Sequence, residues 1–148
     1  MREIIQPRTT PLTDFHQFHL NLLKIGYNNL IKQPMFHDDE EYSDTAEELL
    51  SLYRDTVEAY ESHTDEAYEL GQRLMTRIVG TFPQFLPLIS RDLLWLFGGD
   101  CIAYLSDEEI DQYTALDEAR YEQEQQDASL DYLQLRNMML TAGDETQH

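Results

Sequence analysis

Two pairs of acids stand three residues apart, the spacing that puts both side chains on one face of a helix: Glu58 with Glu61, and Glu108 with Asp111. Histidines form a second grouping. His16 and His19 are three apart, and His37 precedes Asp38-Asp39-Glu40-Glu41, so a nitrogen/oxygen metal site can be drawn from them. A di-iron carboxylate bundle needs two Glu-x-x-His pairs on separate helices, a condition this chain does not meet. The simpler reading makes His16 and His19 a half-exposed helix face and His37 the start of a solvated loop. Phosphate-binding glycine loops, dinucleotide fingerprints, serine-nucleophile elbows and paired-cysteine motifs are all missing. Cys101, the single cysteine, sits among Phe97, Ile102 and Tyr104 with acids nearby. Burial and negative charge both raise a thiol pKa, so it reads as a small core residue rather than a nucleophile.

The acid pairs resemble the two halves of the Mg²⁺-binding signature of all-α nucleotide pyrophosphohydrolases. That resemblance implies Glu58, Glu61, Glu108 and Asp111 as metal ligands, Mg²⁺ as cofactor and hydrolysis of a nucleotide as the reaction. It covers eight residues, and the two halves lie farther apart here than in that family. Glu108 and Asp111 also fit the first turn of a helix, where the dipole favours acids.

Charge is the broader feature. Residues 37–69 hold thirteen Asp and Glu against one Arg, and residues 100–131 hold eleven against one, while residues 1–34 and 70–99 each come to +2, within a total of −19. Surplus negative charge confined to two segments favours cationic partners and repels nucleic acid, anionic lipid and phosphorylated substrates. Tyrosines are interleaved with these acids, and Tyr is enriched at protein interfaces because it joins rigid apolar area to a polar end. The candidate binding surface is therefore Tyr42, Glu58, Glu61, Asp65, Glu66 and Tyr68 on one acidic segment, with Glu118, Tyr121 and Glu122 on the other. The plain alternative is a solvated acidic face that keeps the protein soluble.

These residues need helices to carry them, and β-branched alternation is nearly absent. A first helix is expected from Thr13 or Asp14 to about Lys32, with Phe15, Phe18, Leu22 and Ile25 on one face. Ala46, Leu50, Tyr53, Val57, Tyr60, Thr64, Ala67, Gly71, Leu74 and Ile78 then alternate at steps of four and three. This predicts one helix over 44–79, roughly 54 Å long, with its acids off the apolar seam. Pro87 suits the first turn of a buried third helix rich in Leu and aromatic residues, which the common face of Phe97, Cys101 and Tyr104 would carry through Gly98-Gly99. Ser106-x-x-Glu109 is a capping box that opens a fourth helix, in which Glu122 to Asp127 offers nothing to pack.

The expectation is one all-α domain over 1–148, an antiparallel bundle of four main helices with the second unusually long, an extended lead-in at 1–11 and a frayed polar tail at 141–148. One cysteine and no signal segment point to the cytoplasm. The favoured function is a non-enzymatic regulatory protein that presents an acidic helical surface to a basic partner and could mimic polyanion charge. No direct contact with nucleic acid or membrane is expected, and no cofactor, Mg²⁺ belonging only to the hydrolase alternative. Self-association through the long seam remains open.

Overall fold

The computed structural model describes residues 15–37, 43–126 and 131–145, the last five as backbone. It is all-helical, with no strand among the described residues. The main helices are α1 (Phe15–Leu30), α2 (Asp44–Glu61), α3 (Ala67–Thr81), α4 (Arg91–Phe97), α5 (Asp107–Gln126) and α6 (Tyr132–Glu145), and 3₁₀ segments span 34–36, 83–88 and 99–104. The expected lead-in, the caps at Thr13 or Asp14, and residues 38–42 of the acidic stretch after His37, Tyr42 among them, lie outside the described residues. The tail is helical as far as Glu145.

The expected long second helix is two helices. Nine of the ten seam residues are indeed buried, and only Thr64 is exposed. The chain turns there because α2 closes with two crossed backbone bonds: His63 N–H donates to the Tyr60 carbonyl at 3.2 Å, and Thr64 N–H donates to the Ala59 carbonyl at 3.0 Å. That is a Schellman motif, which requires a left-handed residue at its apex. His63 supplies it with φ 57°, the one positive φ outside glycine among the described residues. Arg77 near the end of α3 pairs with Glu48 near the start of α2, so the two helices run in opposite directions as a hairpin. The apolar residues of the seam are thus buried within the chain.

Other boundaries moved for local reasons. Pro83 and Pro87 fix φ and lack N–H groups, so 83–88 is 3₁₀ and Ile89 is extended. The third helix starts four residues later than Pro87, at Arg91, with the Ser90 hydroxyl accepting from Asp92 N–H. It stops at Phe97 rather than passing through the glycines, since Gly98 and Gly99 take φ 61° and 67°. The fourth helix is α5 followed by a separate α6. Its capping box forms as read, Ser106 N–H donating to Glu109 Oε1 at 3.0 Å and Glu109 N–H to Ser106 Oγ at 3.1 Å. Residues 121–126 stay helical and exposed.

One cluster of buried side chains draws on all six helices. On α1 the buried row is Leu20, Leu23, Tyr27 and Leu30, whereas Ile25 of the expected face is exposed. The helix is apolar on more than one side, and α2, α4 and α6 each pack against it. Tyr53 of α2 fixes this packing by donating its hydroxyl to the Leu23 carbonyl at 2.6 Å. Gly71 on α3 faces Phe97 of α4 so closely that a Cβ would overlap the ring.

Candidate interaction surface

The turn that divides α2 from α3 also shapes a cleft. Asp55, Glu58 and Ala59 of α2, Ser62, Thr64 and Glu66 of the turn, and Leu70 of α3 enclose about 340 Å³. Three carboxylates stand around an apolar floor of Ala59 and Leu70, at the C-terminal end of α2, where helix carbonyls add partial negative charge. The arrangement can hold a cationic head on its rim and an aliphatic stem on its floor, which is the form of a lysine or arginine side chain.

Most bases in the described protein are already engaged with acids elsewhere. Lys24 pairs with Glu61, Arg54 with Glu47, Arg73 with Glu69, Arg77 with Glu48, Arg91 with Glu109, Arg120 with Glu124 and Arg136 with Asp92. Asp55, Glu58 and Glu66 enter no such pair among the described residues.

The sequence-derived surface residues divide accordingly. Glu58 and Glu66 line the cleft, and Asp65 is exposed in the turn beside it. Tyr68 is half exposed and stands edge-on to both Tyr60 and Phe97. Glu61 serves the fold instead, its Oε2 accepting from Lys24 Nζ at 2.9 Å, and Lys24 is buried on α1. Glu118, Tyr121 and Glu122 are exposed on α5, but no α5 residue lines the cleft. The acidic surface is therefore two patches. Asp55 stands three residues before Glu58, at the same spacing that marks the Glu58–Glu61 pair.

Among the described residues the metal readings find no support in the geometry, and Asp38 to Glu41 beside His37 lie outside them. No group of three or more His, Cys, Asp and Glu among the described residues is placed to hold an ion. Glu61 is tied to Lys24, while Glu108 and Asp111 are exposed in the first turns of α5. His16 stacks on Tyr60 and His63, with ring centroids 4.2 and 3.8 Å away. His19 is buried rather than half-exposed, its Nδ1–H donating to the Phe15 carbonyl at 2.8 Å. Burial pushes its imidazole down to about 4. His37 is exposed at the end of a 3₁₀ turn. Cys101 is buried as expected, and burial raises its thiol pKa.

A polar centre that the sequence did not announce lies between α4 and α6. Arg136 donates Nε and Nη2 to the two Asp92 oxygens, both at 2.7 Å, and Asp92 is 3% exposed. The Tyr113 hydroxyl joins this pair, and its pKa is raised, chiefly by burial. A signal was available: Asp92 is the lone acid of 70–99 and Arg136 the lone base of 121–148. A charge isolated in an apolar helix needs a partner.

An all-helical chain with an acidic cleft and a buried ion pair defines a class of fold but no reaction. The chain belongs to the PA2817-like family, whose model matches residues 11–148. No curated protein and no solved structure gives a significant match.

Proposed function

We propose that this protein acts by binding a basic partner, a lysine- or arginine-bearing protein surface, through the acidic cleft between α2 and α3. The observation that carries this reading is the division of charge among the described residues: seven bases are paired elsewhere, and Asp55, Glu58 and Glu66 face the cleft without one. A basic side chain entering there gains three nearby carboxylates and the α2 terminus, and loses no existing ion pair. The patch on α5 at Glu118, Tyr121 and Glu122 extends the negative field and steers encounter without forming the cleft. Regulation by occupancy of a partner's polyanion-binding face is the sharper form, and heparin then competes with this protein.

The test is capture from native lysate and measurement of association rates for wild type and for the triple variant Glu58→Lys, Asp65→Lys, Glu66→Lys. Glu61 stays unchanged because it holds Lys24. The reading expects a partner that wild type retains and the variant loses, with a wild-type association rate that falls as NaCl rises from about 20 to about 300 mM. Equal capture and equal rates would overturn it. Mg²⁺-dependent nucleotide turnover that disappears in Glu108→Gln with Asp111→Asn would replace it with hydrolysis.

A further inference from the structure

A second concavity has the opposite character to the acidic cleft. It encloses about 680 Å³ between the 83–89 segment, α4, α5 and α6, within the range of roughly 300–1,000 Å³ that small-molecule sites occupy. Pro83, Leu86, Pro87 and Ile89 make one wall, and Arg91, Asp92 and Arg136 supply its charge. Two guanidiniums thus face one carboxylate in a protein whose net charge is −19.

The carboxylate is not available to a ligand. Asp92 accepts both contacts from Arg136 and a third from the Ser90 hydroxyl at 3.0 Å, and the Tyr113 hydroxyl adjoins it. Its acceptor capacity is used within the fold, so what the groove offers a ligand is donors. Both arginines are held in place by the same edge. Arg91 gives Nε and Nη2 to the two oxygens of Glu109 at 2.8 Å, with Nη2 also reaching the Tyr104 carbonyl. Arg136 gives Nε and Nη2 to Asp92. Neither carboxylate pairing uses Nη1; Arg136 also hydrogen-bonds the Tyr113 hydroxyl, so the corner left to a ligand is chiefly that of Arg91, and a donor fixed before binding loses little freedom when a ligand arrives.

We infer that this groove binds a small amphipathic monocarboxylate, its charged end on Arg91 and Arg136 and its hydrocarbon body along the Pro83–Ile89 wall. Glu109 and Asp92 each offset one guanidinium, so the groove itself is close to neutral, and the surrounding field opposes a phosphate or any multiply charged anion more strongly than a single charge. A neutral ligand would leave the remaining donors without an ionic acceptor, and charge-assisted hydrogen bonds are about twice as strong as neutral ones. The apolar wall supplies the rest in proportion to the hydrocarbon area it covers.

Isothermal titration with sodium hexanoate, hexanamide, acetate and inorganic phosphate tests the inference. Hexanoate should bind saturably, hexanamide and acetate about tenfold more weakly or worse, and phosphate not measurably. Arg91→Gln, at a partly exposed position, should lower hexanoate affinity about tenfold and leave hexanamide unchanged, and Arg91→Lys should fall between. Leu86→Ser removes apolar area from the wall without adding a charge beside either arginine and should also weaken hexanoate binding about tenfold. Absence of saturable hexanoate binding, equal affinity for acid and amide, or binding indifferent to both Arg91→Gln and Leu86→Ser would each overturn the assignment.

Discussion

Alanine at Gly71 and alanine at Gly80 should move stability in different directions, although both glycines lie in α3. In a helix interior the exchange gains about 1 kcal/mol from backbone entropy wherever there is room for the methyl group. At Gly80, the penultimate residue of α3, a Cβ meets nothing within 4 Å, so the exchange should gain about half of that or less. At Gly71 the Cβ would overlap the ring of Phe97, which is 2% exposed and enclosed by its own neighbours. Shifting a side chain in a packed core costs roughly 1 to 3 kcal/mol. The propensity gain is larger at mid-helix Gly71 than at Gly80 and offsets part of the overlap cost, so Gly71→Ala should lie about 0.5 to 2.5 kcal/mol below Gly80→Ala. For a chain of this size about 1 kcal/mol moves Tm by about 2–4 °C, so the melting temperatures should differ by several degrees. Urea midpoints of the two variants measure the difference directly. Repeating Gly71→Ala in a Phe97→Leu background isolates the overlap, since residues in contact couple by about 0.5 to 3 kcal/mol. Equal midpoints for the two alanine variants, or a Gly71 cost that Phe97→Leu leaves unchanged, would refute the placement of α3 against α4.

Four further outcomes follow from the same structure. Burial lowers the His19 pKa to about 4 from 6.5, so the unfolded chain takes up a proton that the folded chain refuses; stability from this group is complete above about 6.5 and is lost as pH falls toward 4. The loss between pH 7 and 4 should be smaller in His19→Gln than in wild type by on the order of 3 kcal/mol, read as the difference in denaturation free energies. Ser106→Ala removes the hydroxyl that caps Glu109 N–H and should cost about 1 kcal/mol by urea denaturation; Glu109, held down to about 2 first by its hydrogen bond from Arg91, should titrate higher in Arg91→Gln when followed by carboxyl NMR. Raising NaCl from about 10 to about 300 mM should raise Tm, because a net −19 repels itself and the Debye length contracts to about 8 Å near physiological strength; a falling trend would mean that the ion pairs outweigh the repulsion.

Which residues are buried was more legible than where helices end. The four-and-three pattern from Ala46 to Ile78 identified nine residues that the structure buries, because packing selects side chains and periodicity records that selection. The break inside it was unreadable by the usual signs. A Schellman turn ordinarily shows a glycine at its apex, and here a histidine takes the left-handed position in the polar run Ser62-His63-Thr64-Asp65. Gly98-Gly99 misled in the opposite sense, since a shared apolar face suggested passage and the positive φ of both glycines stops α4. The candidate surface was half legible: composition located its charge, but only the turn geometry shows that Asp55 joins Glu58 and Glu66 while Glu61 is withdrawn.

The block pattern of charge has a structural origin in the pairs that cross between helices. Lys24 of α1 reaches Glu61 of α2, Arg77 of α3 reaches Glu48 of α2, Arg91 of α4 reaches Glu109 of α5, and Arg136 of α6 reaches Asp92 of α4. In three of these four pairs the base-bearing segments clip the acid-rich helices α2 and α5 to the rest of the fold, which divides the acids into those that hold structure and those that face outward. The division can be tested within one turn of α2. Glu61→Gln leaves Lys24, whose side chain is 7% exposed, without its ionic partner. Breaking a fully buried pair costs about 3–5 kcal/mol; with Glu61 itself 38% exposed, solvent screening reduces the expectation to about 1–3 kcal/mol. Glu58→Gln removes an exposed carboxylate that lines the cleft and should change stability by no more than about 0.5 kcal/mol while weakening attraction for a basic partner. Urea denaturation of the two single variants separates the roles. A Glu61→Gln midpoint equal to that of Glu58→Gln would show that Lys24 is satisfied without Glu61, and that the acids of α2 form one undivided solvated face.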